Sequence, residues 1–262
     1  MAQLLRPFPQ FGTVTSTSAT WASSRYHALQ ARIEKRYSSG LTVTAAYTYS
    51  KLMDNSSGVL VGGEALSNGT VQDWNNLRAD WSSSVLDQTH RLVTSAVYEL
   101  PGWKRKVGVV SRILSGWQLS GIASFFSGSP LSLTTATDSS RSLGGRQRPN
   151  WTGLSAALRS PTAQHWFDTA QFSQPAAFTF GTTARTLNGL RSDGAKNLDV
   201  GIVKSEKVSD RLRLQFRADA FNLFNRVQYA PPNTIFGSRA FGVVGAMENQ
   251  PRIIQVAVKL IH

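Results

Sequence analysis

The chain has 262 residues, no cysteine, a formal net charge of +13 and only 16% charged residues. Such a length suffices for one large or two ordinary domains. The lack of cysteine excludes disulfide frameworks, thiolate metal sites and cysteine nucleophiles. Lys and Arg are spread along the whole length without a run of five like charges. The charge therefore predicts basic loops, and we expect no nucleic-acid partner.

The first half of the chain predicts a β-hairpin after an irregular segment rich in Pro, Ser and Thr. Residues 26–37 combine apolar side chains at helical spacing with good helix formers, so helix competes with strand there. Residues 41–50 alternate strictly, with apolar side chains on one face and mostly threonine on the other. Because a Ser-Ser-Gly turn at 38–40 joins the two segments, we predict paired strands.

The middle of the chain alternates predicted strands with long connections. Period-two patterns predict strands at 90–100, 117–127 and 197–204. Residues 51–88 and 128–193 are rich in turn-forming residues and lack sustained periodicity, which predicts loops.

The last part of the chain predicts two further strands, at 211–222 and 253–262. Residues 206–210 are predicted to form a tight turn before the first of them, and residues 223–250 a third long loop. The connections thus alternate between short and long. That alternation is typical of outer-membrane barrels, in which antiparallel strands of about 10 residues join short periplasmic turns to long extracellular loops. We predict an all-β fold, an antiparallel transmembrane β-barrel segment of about seven strands.

In such a barrel the two faces of each strand meet different surroundings. The polar side chains predicted to face the lumen, and to pair with one another, are Arg32, Glu34, Arg213, Arg217 and Asp219. The apolar side chains predicted to face lipid are Leu212, Leu214, Phe216, Val256, Val258 and Leu260. The candidates for interfacial aromatic girdles are Tyr47, Tyr49, Tyr98 and Trp117.

Candidate catalytic and ligand-binding groups are sparse. The sequence has no nucleophile elbow, metalloprotease motif, phosphate loop or dinucleotide fingerprint, so we expect neither an enzyme nor a cofactor. The isolated candidates are His90 near Asp87 as an acid–base pair, His165 near Asp168 as metal ligands, and Arg141, Arg146 and Arg148 beside Gly144 and Gly145 as an anion site. Turns and solvated loop charge explain them better.

Six segments resemble, in order, the C-terminal barrel of Oar-like TonB-dependent outer-membrane receptors. They are LLRPFPQF (4–11), YHALQARIEKRYSSGL (26–41), YTYSKLMDN (47–55), NLRADWSSSVLDQTHRLV (76–93), GWQLSGI (116–122) and LRLQFRADAFNLFN (212–225). The resemblance covers nearly the whole chain, so residues 1–262 are expected to be a single region. It implies a portion of a 22-stranded barrel, and we expect the signal peptide, the plug and the TonB-contacting segment to lie outside these residues.

The resemblance implies a bacterial outer-membrane location and uptake, or export, of a large ligand by the full-length receptor. It implies contacts with outer-membrane lipid, lipopolysaccharide and the barrel-assembly machinery, and with the TonB system through the N-terminal part. Two alternatives remain open at this point. A soluble all-β carbohydrate-binding or adhesion module would bury the apolar strand face within the protein, and a nucleic-acid binder would lose affinity steeply with salt.

Overall fold

A computed structural model describes most of the chain. The described residues are 8–11, 21–56, 58–61, 64–67, 71–73, 75–102, 109–141, 147–209 and 211–261.

Seven long strands form one antiparallel sheet in which neighbours in sequence are neighbours in space. They are β1 (Ser24–Ser38), β2 (Leu41–Asp54), β3 (His90–Glu99), β4 (Trp117–Phe126), β5 (Lys196–Ser209), β6 (Leu212–Phe221) and β7 (Ile253–Ile261). The predicted all-β fold, with about seven antiparallel strands, is confirmed. Within the described ranges, β1 pairs only with β2 and β7 only with β6, so the sheet is open at both edges.

β1 is a strand although its residues are good helix formers. Its ladder with β2 runs continuously from Ser24 opposite Asp54 to Lys35 opposite Val43, and a bulge follows before Ser38. The turn needs a left-handed backbone, with φ of +53° at Ser39 and +80° at Gly40. The tertiary pairing of a long hairpin therefore outweighs local helix propensity.

The predicted turn at 206–210 is wrong. Residues 206–209 continue β5, with Glu206 opposite Leu214 and Lys207 opposite Arg213, while Asp210 lies outside the described residues. The polar side chains there lack an apolar period, but backbone pairing with β6 supplies the hydrogen bonds that a strand needs. The apolar alternation predicts a strand that is shorter than β5, because it depends on side chains and not on backbone pairing.

The connections lie at opposite ends of the sheet according to length, because the strands alternate in direction. The short-connection end holds three connections, whose described residues are 39–40, 100–102 with 109–116, and 211. A helix, α1 (Val109–Leu114), lies in the second of them. In the described part of the chain, no helix has the length and apolar character needed to cross a membrane. The long connections are 55–89, 127–195 and 222–252.

The long connections, predicted to be loops, contain short elements of their own. The described residues include 3-10 helices at Leu77–Asp80 and Thr169–Gln171. The short strand pairs are Gly58–Val61 with Glu64–Ser67, Ser82–Ser83 with β2, Pro130–Leu131 with Leu187–Arg191, Asn150–Trp151 with Phe172–Ser173, and Thr134–Thr135 with Ile235–Phe236. We refer to the described residues of the three long connections as the loop layer.

The cluster of buried apolar side chains lies in the loop layer and not against the sheet. Its members are Leu131, Leu133, Ala156, Trp166, Phe167, Phe172, Leu187, Leu190 and Val244. Phe241 packs edge-to-face on both Phe167 and Phe172, with ring centroids 5.1 and 5.9 Å away. The loop layer is thus a folded unit with its own core, whereas side chains on the apolar face of the sheet, such as Ile33 and Val256, are exposed in the described part of the chain.

Candidate functional site

The ladder registers divide the sheet into an apolar and a polar face. Directly opposed residues project to the same side of an antiparallel sheet. The opposed pairs of β6 and β7 include Leu214 with Leu260, Phe216 with Val258, and Ala218 with Val256. The six residues predicted to face lipid therefore share one face, since Leu212 is in phase with Leu214 on the same strand.

The same face is largely apolar across the other five strands, and it also carries Lys196 at the long-connection end and Lys35, Lys204 and Glu206 toward the short-connection end. Following the registers from β6 to β1, it includes Val200, Ile202, Leu119, Ala123, Phe125, Leu92, Ala96, Tyr98, Val43, Ala45, Tyr47, Leu29 and Ile33. Many of these side chains are exposed; Ile33 is 69% exposed and Val256 72%. A surface this broad and apolar needs an apolar environment, because soluble proteins rarely leave contiguous apolar patches of such size uncovered.

The opposite face carries the polar residues predicted to line a lumen. Arg32 binds Glu34 at 3.1 Å, and Arg217 binds Asp219 at 2.6 Å. Arg213 lies on the same face opposite Lys207. The structure therefore brings four of the five into two pairs along single strands. Both arginine side chains are exposed, and ion pairs with an exposed partner contribute little to stability. That this face lines a lumen stays a prediction.

The four aromatic residues predicted to form girdles lie on the apolar face at two levels. Tyr47 and Tyr49 contact His90 near the long-connection end, whereas Tyr98 and Trp117 lie near the short-connection end. His90 and Tyr98 are eight positions apart on β3, which corresponds to roughly 27 Å along the strand. If the strand is tilted by about 40°, the two residues are about 20 Å apart along the membrane normal. This spacing is close to the apolar band of outer-membrane barrels.

A family model decides the class of protein. The model described as "Outer membrane beta barrel domain" matches residues 1–255. The chain belongs to this outer membrane β-barrel family. Its location is accordingly the bacterial outer membrane, as predicted. No curated protein matches the chain. For an outer membrane β-barrel protein, the apolar and polar faces are the expected lipid and lumen surfaces, and the soluble carbohydrate-binding module is not favoured.

In this outer membrane β-barrel protein, buried ion pairs join separate connections of the loop layer. Arg148 binds the Asp80 carboxylate, and Arg185 binds that of Asp54 at the end of β2. Arg185 also donates to the Asp80 carbonyl oxygen at 3.0 Å. Burial lowers the pKa of Arg185, and the neighbouring Asp54 carboxylate opposes that shift. Because these charges are buried, each depends strongly on its partner.

A further buried carboxylate, Asp87, joins the first connection to the second and to β2. It accepts hydrogen bonds from Arg191 at 2.6 Å and from the Leu52 amide at 2.7 Å. Burial raises the pKa of the Asp87 carboxyl, but these hydrogen bonds and the charges of Lys51 and Arg191 outweigh burial and hold the pKa below its usual value.

The isolated groups weighed as chemical sites have structural roles here. His90 contacts the Tyr47 hydroxyl through Nδ1 at 2.9 Å, and Asp87 binds Arg191 instead. Asp168 caps the 3-10 helix by accepting from the Ala170 amide. Among the described residues, no three His, Cys, Asp or Glu side chains converge to hold a metal. Arg148 is buried against Asp80, which contradicts a role in an anion site; Gly144, Gly145 and Arg146 lie outside the described residues.

We expect acid to weaken the loop layer through Asp87. Since its pKa is lowered in the folded protein, its stabilising effect is complete above the unfolded value of about 3.9 and is lost as the pH falls through the folded value. Protease protection of the long connections should therefore be constant near neutral pH and decline below about pH 4. An Asp87→Asn variant should be less protected at pH 7 and should show a smaller further loss in acid. An identical acid profile for both proteins would contradict this assignment.

Proposed function

We propose that this protein forms part of the wall of a large TonB-dependent receptor that moves a bulky ligand across the outer membrane, by uptake or export. The observation that carries the proposal is the open sheet. Unpaired strand edges are not tolerated in the hydrocarbon region, so β1 and β7 must both be paired in the membrane. The long antiparallel strands of the described residues number seven, which is odd and one short of the smallest single-chain barrels. Further strands are therefore required.

The polar sheet face and the loop layer support a barrel wide enough for transport. Wide barrels have a polar interior, and here that face carries charged residues paired along the strands, such as Arg217 with Asp219. The sequence resemblance to Oar-like receptors supports TonB dependence. In this proposal, the outer surface contacts lipid and lipopolysaccharide, the strands are inserted by the barrel-assembly machinery, and energy is supplied through the N-terminal part of the receptor. No catalytic activity is involved.

The proposal is tested by comparing two deletions in the producing bacterium, one of this gene and one of the gene for TonB. Mass spectrometry of the medium and the periplasm then identifies compounds whose distribution changes. We expect every compound affected by loss of this protein to be affected also by loss of TonB. Compounds that depend on this protein but not on TonB would overturn the energy coupling. An unchanged distribution of all compounds, with the protein present in the wild-type outer membrane, would overturn transport.

A further inference from the structure

The helix α1 in the second short connection lies on the apolar side of the sheet. Its last turn contacts Trp117 and Lys204, which are directly opposed in the ladder of β4 and β5. Trp117 Nε1 donates to the Ile113 carbonyl oxygen at 2.7 Å. Lys204 Nζ donates to the Arg112 carbonyl oxygen at 2.6 Å and also to that of Ser115. Because both side chains project from the apolar face, the helix lies on that side and not on the polar one.

An ion pair fixes the helix to the same side. Glu206 is two positions from Lys204 on β5, so it projects to the same face. Arg112 Nε lies 2.7 Å from Glu206 Oε1, and Lys204 Nζ lies 3.2 Å from Oε2. The connection then returns to β4 through Gly116, whose φ is +74° and where a Cβ would overlap the Ser205 carbonyl oxygen. The end of the helix is therefore in close contact with the outer side of β5.

These contacts explain two charged side chains on the apolar face. A lysine or glutamate that faces hydrocarbon loses its hydration. The Lys204 side chain is only 13% exposed and that of Glu206 26%. The lysine binds carbonyl oxygens at a helix C-terminus, where cations are favoured, and the glutamate has two cationic partners. Lys204 and Glu206 thus form a docking place for α1 at the edge of the lipid-facing surface.

The helix adds exposed apolar side chains to that surface. Ile113 is 58% exposed and Leu114 41%. The Arg112 side chain next to them is also exposed, at 64%. Apolar side chains beside an exposed guanidinium are typical of segments that lie at the boundary between lipid headgroups and acyl chains.

The aromatic residues place α1 at this boundary. Tyr98 and Trp117 form the aromatic level near the short-connection end, and α1 contacts Trp117 directly. Indole rings prefer the interface between membrane and water. In the orientation usual for outer-membrane barrels, the short-connection end faces the periplasm. The leaflet next to α1 is therefore the periplasmic one.

We propose that α1 is an interfacial anchor, which inserts Ile113 and Leu114 among the phospholipids of the periplasmic leaflet. The helix continues the lipid-facing surface past the end of β4, and the Arg112 guanidinium lies at the level of the lipid phosphates, whose charge it complements. An anchor at this level fixes the depth of the sheet in the membrane. The proposal rests on the lipid assignment of the apolar face and does not depend on transport or on TonB.

The test uses the full-length protein in vesicles of phosphatidylcholine and phosphatidylglycerol. The chain has no cysteine, so Ile113→Cys, Ser39→Cys and Val256→Cys each give it one site for a nitroxide label. Any cysteine outside residues 1–262 is replaced by serine. Electron paramagnetic resonance then measures how often each label collides with oxygen, which concentrates in lipid, and with a water-soluble nickel complex.

We expect the label at Ile113 to prefer oxygen over the nickel complex several-fold more strongly than the label at Ser39. Ser39 lies in the β1–β2 turn at the same end of the sheet and is the aqueous reference. Val256, on the apolar face and 72% exposed, is the lipid reference. Ser39 and Val256 are far from α1 in the sheet, so their labels report the membrane level without disturbing the helix.

Lys204→Met tests the docking of α1. The variant removes the donor to the Arg112 and Ser115 carbonyl oxygens, so the label at Ile113 should become more mobile. Lys35→Met is the matched control, because Lys35 is also a lysine of the apolar face toward the short-connection end but lies on β1. It should leave that label unchanged. Equal mobility of the label in both variants would overturn the docking.

The anchor is overturned if the label at Ile113 collides mainly with the nickel complex. It is also overturned if that label is protected from both reagents, which would show that a protein covers α1. In either case, an oxygen preference at Val256 would leave the lipid assignment of the sheet intact, so the two failures are distinguishable. TonB dependence is measured separately.

Discussion

Replacing Val200 by arginine should destabilise the membrane-inserted protein by about 2–4 kcal/mol. Val200 lies midway between Lys196 and Lys204 on the same face of β5, and it is opposite Gly121 and Ala220 on the neighbouring strands. If that face contacts lipid, the guanidinium must enter the hydrocarbon region, where its hydration is lost. Urea unfolding in lipid vesicles, followed by the heat-sensitive electrophoretic mobility of folded barrels, measures the change.

Val203→Arg is the matched control for that variant. Val203 is the same residue type three positions further along the strand, and it projects to the polar face opposite Arg217. Both variants lose the same β-propensity, so the difference between their losses of stability reports the surroundings of the two faces. Repulsion by Arg217 should cost the control no more than about 1 kcal/mol. Equal losses, or a larger loss at Val203, would contradict the lipid assignment of Leu212, Leu214, Phe216, Val256, Val258 and Leu260.

Replacing Arg185 by methionine should destabilise the loop layer by about 3–5 kcal/mol. The Arg185 side chain is 1% exposed and binds both Asp54 and the Asp80 carbonyl oxygen. Its removal leaves the Asp54 carboxylate buried without its guanidinium, and methionine offers no donor. Hydrogen exchange of amides in the long connections is the appropriate measurement, since the sheet in its membrane should exchange at its former rate.

Two further variants separate this ion pair from the general effect of losing a positive charge. Arg159→Met removes an exposed arginine of the same connection and should change stability by no more than about 0.5 kcal/mol. Adding Asp54→Asn to Arg185→Met should recover part of the loss, because the double variant no longer buries a carboxylate. If amide hydrogen exchange in the loop layer is unchanged in Arg185→Met, the buried pair does not hold the connections together.

The long strands were predictable because their side chains alternate. In β6 and β7, Phe216 and Val258 follow a period of two that predicts the same face for both, and they are directly opposed in the sheet. The same signal fails at Glu206, where β5 continues without an apolar period. Strand pairing is a property of the backbone, so side-chain patterns underestimate polar strand ends.

The loop layer was not predictable in the same way. Phe167 and Leu133 are almost fully buried, yet each lies in a segment whose short strands, such as Thr134–Thr135, are too brief to show any period. Buried pairs such as Asp80 with Arg148 join distant parts of the chain, and nothing in local sequence links them. The many Gly, Ser and Asn residues correctly indicate an irregular backbone, but they do not predict that these connections share a buried apolar core.

The buried pairs of the loop layer also constrain the order in which the protein folds. Arg185 meets Asp54 across 131 positions of sequence, and that meeting requires β2, β3 and β4 to be aligned first. Contacts between residues so far apart in sequence lose loop-closure entropy before they gain any stabilisation. They therefore form late in folding. The sheet should therefore assemble strand by strand, and the external connections should lock together only in the last step of folding.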